Sequence, residues 1–570
     1  MKKGYFTFVL HSHLPYVRNA GRWPHGEEMI HEALAETYIP LLNALHELKD
    51  EGVKPRLTLG LTPILVEQIK DKDVLDHFAL YAQEKLQAAT DDQARFVREG
   101  ETHLAYVAGF YQDYYRRILT TFNDWYHRDV VGAFRRLQDE GILEILTSAA
   151  THAYLPLIER DSSIFGQLNL GVETYRRTFG RAPRGIWLPE CGYRPAYYRE
   201  DGTPVYKPGL EEFLAEFGLQ YFFTDTHVIQ GGRMLGKVAG DVFGPYGTVP
   251  SRKLVVKVDE RAEPVEKTTF RPYYVQSTHV AVYGRDERTG LQVWSAAHGY
   301  PGDYVYREFH RKDAVSGLQY WRVTDNSGDL GRKQPYDPNR AFAQTQAHAE
   351  HFCQLVNGLV ADYHAAHGSP GVVVSAYDTE LFGHWWFEGV NWLKDVLREL
   401  SKSDTVELTT AGDYLQAYPP QEVVTLPESS WGMGGGHWTW SNEQTAWMWP
   451  LIHAAERRME QLVEQYPTAE GDRLTVLNQA ARELVLLESS DWPFLVSTGQ
   501  AKDYANGRFQ SHLARFNTLC YLAEKGDLGE SDRLVLETAW DADNPFAFID
   551  YRTFRNREGR NPQGAWPATE

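Results

Sequence analysis

The feature that most restricts the fold is a recurrence. Short apolar or β-branched segments, most of them followed by a stretch with helical spacing, repeat along the chain: Tyr5–Leu10, Arg56–Gly60, Leu143–Ser148, Gly185–Pro189, Tyr221–Thr224, Val372–Ala376 and Val406–Thr409. A stretch near Val275–Tyr283 or Gln292–Ser295 is a further candidate. Strands alternating with helices predict a parallel sheet, because two parallel strands must be joined by a long crossover. Seven or eight such units in one chain suggest a barrel rather than an open sheet. Polar residues collect where these segments end. His11 and His13 follow the first, His152 the third, Glu190 the fourth, Asp225 the fifth and Asp378 the penultimate one. Barrel enzymes build their active sites at that end of the strands.

Two stretches interrupt the alternation. Residues 75–140 read as a helical insertion, and 228–265 as a Gly-rich segment that is either a lid or a surface loop. After 420 the strand signals stop. Residues 421–545 read as a helical C-terminal domain and 546–570 as a flexible tail, leaving 1–420 for the barrel.

Charge narrows the ligand. A formal net charge of -19 argues against nucleic acid and against an anionic membrane surface. Three cysteines, Cys191, Cys353 and Cys520, form no disulfide framework and show no metal-ligand spacing. The N-terminal apolar run, about seven residues long, is broken by His11 and His13, and no stretch approaches the ~20 apolar residues of a membrane helix. A cytoplasmic location is expected. The 16 Trp, 33 Tyr and 26 Phe, many in Gly-rich surroundings, make carbohydrate the first ligand class to test, since flat apolar faces with polar edges stack well on sugar rings.

The chemistry then turns on two acids. GIWLPECGY ends an apolar run on Glu190, and VVVSAYDTELFGHWWFEG ends one on Asp378. Isolated acids are rarely buried without a partner or a use. Two carboxylates at strand ends suit glycoside cleavage, one attacking the anomeric carbon and the other protonating the leaving oxygen; a retaining mechanism requires them about 5–5.5 Å apart.

Several blocks make this more specific: HSHLPYV at 11–17, FGQLNLGV at 165–172, WLPECGY at 187–193, YDTELFGHWWFEG at 377–389 and SWGMGGGHWTWSN at 430–442. With these the chain resembles glycoside hydrolase family 57, and within it the 1,4-α-glucan branching enzymes. The resemblance implies a (β/α)7 barrel, a distorted TIM-like fold of α/β class, with a helical insertion and an all-α C-terminal domain. It implies Glu190 as nucleophile and Asp378 as general acid/base. Arg285, Gly302, Trp431, Asp491 and Gln500 match substrate-binding positions, with His11, His13, His152, Trp294 and Tyr246 in supporting roles. The substrate implied is an α-1,4-glucan, with no metal or cofactor and a monomer favoured. Hydrolysis or α-1,4 transfer on the same scaffold is the alternative. One departure stands out: related enzymes often carry an acid where this chain has Gly436.

His11-x-His13 raises a rival, since residues two apart on a strand share a face and two histidines beside Asp225 or His152 suit zinc. No third ligand is clearly specified, so hydrogen bonding to substrate or to Glu190 is the favoured role. Tyr246, in GPYG, is the expected tip of a lid over 228–265 that keeps water from the intermediate.

Overall fold

In the computed structural model the first strand, Gly4–Ser12, is buried along nearly its whole length, as expected of a strand covered on both faces. It pairs in parallel with Gly371–Asp378, which sets His11 opposite Asp378. Its first residues also pair in parallel with Val406–Leu408. The sheet runs in the order Gly371–Asp378, Gly4–Ser12, Leu57–Leu61, Leu143–Leu146. The structure describes residues 2–22, 25–199, 205–230, 266–276, 278–294, 299–325 and 329–559, with the backbone of three short strands between 243 and 254.

Two compact units hold these elements. The first comprises residues 1–59, 68–145 and 285–417; the second comprises 60–67, 146–284 and 418–570.

In the first unit the helix that precedes the Asp378 strand is well delimited. Asp337 caps Pro338–His367 by accepting from the amides of Asn339 and Arg340, proline occupies the first turn, and Gly368 ends it at φ 65. Behind the strands lies an aromatic core in which Trp392 stacks on Phe382 at 5.8 Å and meets Phe352 edge-on at 4.9 Å. Side chains of this size contribute about 2–3 kcal/mol each on full burial. Helices Lys72–Glu99 and Thr102–Thr120 occupy the stretch read as a helical insertion.

In the second unit Tyr221–Thr224 pairs in parallel with Ala281–Gly284, which pairs antiparallel with Tyr273–Val275, and Val423–Val424 adds in parallel. This resolves the open choice: Gln292, Val293 and Trp294 belong to helix Glu287–Trp294 and form no strand. The run Gly185–Pro189 makes only isolated bridges, Thr147 to Ile186 and Gly185 to Tyr221. Pro189 has no N–H to continue a ladder, so the segment leaves the sheet just before Glu190. Helices Met448–Gln465, Gly471–Leu487, Asp491–Thr498, Lys502–Lys525 and Glu530–Ala542 follow.

The tail expected over 546–570 needs correction for its described part. Phe546, Ile549, Tyr551 and Phe554 are each at most 3% exposed, and Glu558 pairs with Arg160 at 2.7 Å and Arg199 at 3.0 Å. Buried apolar anchors recur within a polar sequence, and they hold the segment down to 559.

Candidate active site

Glu190 and Asp378 belong to different units, and each has its own surroundings. Glu190 sits in the short 3-10 turn Pro189–Cys191 at φ 60, ψ 23, followed by Cys191 at φ 49. Left-handed backbone costs a non-glycine residue roughly 1–2 kcal/mol. Gly192 makes the turn possible, because a Cβ there would stand 2.9 Å from the Tyr154 ring and 3.0 Å from the Pro189 carbonyl.

The strained residue is gripped from several sides. Trp431 donates its backbone N–H to the Glu190 carbonyl at 3.0 Å and its indole N–H to Glu190 Oε2 at 2.7 Å. Ser490 Oγ lies 3.5 Å from Oε1, and His152 Nδ1 lies 3.8 Å from Oε1 and 2.9 Å from Ser490 Oγ. A hydrogen bond to a charged group contributes about 1.5–3 kcal/mol, enough to offset the backbone strain. His152 is itself left-handed at φ 59. A buried polar ladder stands behind it: Thr151 N–H donates to Gln167 Oε1 at 3.0 Å, and Gln167 Nε2 donates to Glu488 Oε2 at 2.8 Å. Burial pushes the Glu488 carboxyl up to about 7.

The Gly-rich segment after Trp431 is braced by His437, whose ring joins Tyr154 OH at 2.8 Å and Glu428 at 2.7 Å, while Tyr154 stacks on Trp440 at 4.1 Å. Gly436 has φ -111, and a Cβ there would meet nothing within 4 Å. Neither backbone nor packing demands glycine at this position. Asp491 accepts from Ser489 Oγ at 2.6 Å, beside Ser490. Gln500 is exposed, in the turn between helices Asp491–Thr498 and Lys502–Lys525.

Asp378 is also a carboxylic acid, but it is set in a regular strand rather than a strained turn. It ends a regular strand whose other residues are all buried. Desolvation is the largest influence on it and pushes its carboxyl up to about 6, against the opposing pull of Arg285 and His13. The His11 and His13 rings are near-parallel at 6.2 Å; burial, with His13 second, lowers the His11 pKa well below the usual value. Two residues not singled out from sequence complete this end. Glu380 accepts from the Tyr38 hydroxyl and from the His13 N–H, and burial with the nearby Asp378 charge raises its carboxyl to about 8 despite the Tyr38 bond. Ser12 Oγ and Thr379 Oγ1, 2.8 Å apart, tie the two strand ends together. Trp294, 43% exposed, ends its helix, and Gly302 lies exposed at the end of the turn Tyr300–Gly302.

Tyr246 and most of 228–265 lie outside the described residues. Among the described residues one group, Glu483, His512 and Asp543, has three potential metal-ligating atoms within 4.8 Å of one another. Arg515 reaches both carboxylates, at 3.2 and 2.5 Å, and Arg508 stands 3.8 Å from Asp543, so two guanidiniums already face the two acids in a buried ion network.

Comparison with known proteins agrees with both ends of the chain. The model of glycosyl hydrolase family 57 matches residues 7–427, and that of the 1,4-alpha-glucan branching enzyme C-terminal region matches 451–554. A 1,4-alpha-glucan branching enzyme of Thermococcus kodakarensis is 44% identical over 95% of this chain and 77% of its own length. Its crystal structure, in complex with glucose and additives, superposes with a TM-score of 0.87 at 42% identity over 97% of this chain and 96% of that one. The family 57 branching enzyme of Pyrococcus horikoshii gives 0.86 at 41%, covering 98% of each chain. The alpha-amylase AmyC of Thermotoga maritima gives 0.80 at 30%, covering 98% and 100%. The α/β class, with parallel strands and C-terminal helices, is the one these TIM-like barrel enzymes share. On the family model and the identity together, the chain belongs to glycosyl hydrolase family 57.

Proposed function

We propose that this chain is a 1,4-α-glucan branching enzyme working by retaining double displacement, with Glu190 as nucleophile and Asp378 as general acid/base. A Glu190 oxygen attacks the anomeric carbon of an α-1,4 link, the C1–O4 bond breaks, and O4 takes the Asp378 proton. The Asp378 carboxylate then draws the proton from a 6-hydroxyl of an acceptor glucan, whose oxygen displaces Glu190 and forms the α-1,6 branch. A carboxyl raised to about 6 suits the donor of that proton. Arg285, Gly302, Trp431, Asp491 and Gln500 are proposed to bind the glucan, with His11, His13, His152, Trp294 and Tyr246 supporting, and 421–545 as the helical domain that helps bind it.

One observation carries the reading. The branching-enzyme C-terminal region matched over 451–554 supplies Ser490, which stands at the carboxylate of Glu190 in the family 57 region. A segment that matches the branching-enzyme C-terminal model therefore stands beside the residue that would carry the chain being transferred. A cytoplasmic location is proposed with it: all three cysteines are free and buried, as a reducing compartment permits, and no described helix is long and apolar enough to cross a membrane.

Proton NMR of amylose after incubation tests the activity. Many new α-1,6 anomeric signals with few new reducing ends are expected. Mostly reducing ends would move the assignment to α-glucan hydrolysis, the activity in the name of the Thermotoga relative.

A further inference from the structure

Trp431 matches a substrate-binding position, where its ring could stack on glucose, yet its polar edge is turned to Glu190. The indole packs edge-on against the buried Trp187 at 5.1 Å, and its backbone and ring N–H groups both donate to Glu190, at 3.0 and 2.7 Å. An indole nitrogen is a donor only, and these attachments fix its direction toward Oε2. The Oε1 side faces the Ser490 hydroxyl at 3.5 Å, which has His152 Nδ1 at 2.9 Å as a second neighbour. A hydroxyl rotates between partners; an indole held in this way does not.

Resting on the reading of Glu190 as nucleophile, we propose that Trp431 is a positioning residue whose indole N–H holds Oε2 as the oxygen that never bonds to sugar and presents Oε1 for attack. In the first step Oε1 bonds to the anomeric carbon as the glycosidic C–O bond breaks, and the leaving oxygen takes the proton of Asp378. Oε2 becomes the carbonyl oxygen of the ester, still bonded to the indole, while the Ser490 hydroxyl turns toward His152. In the second step the acceptor hydroxyl oxygen bonds to the anomeric carbon and its proton passes to Asp378. The electron pair of the breaking ester C–O bond returns to the Glu190 carboxylate, where the indole N–H stabilises the charge. A donor fixed on Oε2 thus favours the ionised nucleophile before reaction and its departure afterwards.

Trp431→Phe tests this by keeping an apolar ring and removing the N–H. Placing β-(3-benzothienyl)alanine at 431 makes the same change with the shape of tryptophan retained, and decides the matter if the phenylalanine variant does not fold. Steady-state rates on amylose are measured across pH. Loss of one charge-assisted hydrogen bond is expected to move the acid limb of kcat/KM up by about one pH unit and to lower kcat about tenfold to a hundredfold, with KM within about twofold. If the limb and kcat stay in place and only KM rises, Trp431 is a stacking platform alone and the proposal is overturned. Failure of the underlying reading looks different: Glu190→Gln would then keep most of its rate on amylose, whatever Trp431→Phe does.

Discussion

The Glu190 end and the Asp378 end carry the same functional group in opposite settings. Glu190 leaves its sheet at a proline, enters left-handed backbone, and receives donors from Trp431 and Ser490. Asp378 simply ends a buried strand, and desolvation outweighs the pull of Arg285 and His13. Donors aimed at a carboxylate favour its charged form, whereas burial favours the protonated one. The difference teaches that two chemically alike acids are sorted into nucleophile and proton donor by what surrounds them.

The largest expected effects come from removing each acid in turn. Glu190→Gln should lower the rate on amylose at least about a thousandfold with every leaving group. Asp378→Asn should do so on amylose but should lower kcat/KM far less on an α-maltosyl fluoride, whose leaving group needs no proton in the first step. Equal losses on both substrates in both variants would erase the contrast between the two ends. With azide, Asp378→Ala should yield the α-glycosyl azide and Glu190→Ala the β-anomer.

Next in size is the response to pH. Asp378 works protonated, and its folded pKa of about 6 lies above the ordinary 3.8, so kcat/KM should decline as pH rises through about 6. Activity still climbing above pH 9 would contradict this assignment. Glu380 offers a gentler probe of the same end. Its carboxyl is raised to about 8 from 4.5, so the folded protein holds that proton more tightly than the unfolded chain does. The resulting stability is complete below about 4.5 and is lost as pH rises through about 8. Glu380→Gln keeps an oxygen for Tyr38 and for His13 N–H. Thermal melts should show it close to wild type at pH 5 and more stable by about 1 kcal/mol or more at pH 9, the scale of one pK unit. The smallest effect belongs to the Glu190 end. A Cβ at Gly436 would meet nothing within 4 Å, so Gly436→Asp should change stability by less than about 0.5 kcal/mol, with the ratio of α-1,6 links to reducing ends showing whether an acid beside His437 matters.

The two ends also differed in how legible they were. Val372–Tyr377 is an apolar run broken only by Ser375 that became a regular strand, so Asp378 at its end was readable from local sequence. Gly185–Pro189 looked equally strand-like, yet its proline and the left-handed Glu190 leave only bridges. Tyr38, Glu380 and Ser490 were not singled out, because their roles arise from contacts far apart in the chain: Tyr38 with Glu380, and Ser490 with Glu190. Trp431 was singled out as a substrate-binding position, but nothing local tells which way an indole N–H points. The stretch 546–559 was misread because its polar composition hid the buried Phe546, Tyr551 and Phe554.

The most direct test of the account is to trap the covalent intermediate. Asp378→Ala enzyme incubated with an α-maltosyl fluoride lacks the base for the second step, so the glycosyl-enzyme should accumulate. Peptide mass spectrometry should then find one maltosyl unit on the peptide carrying Glu190 and nowhere else. Release of fluoride with no adduct, or an adduct on another residue, would contradict the assignment of Glu190 as nucleophile.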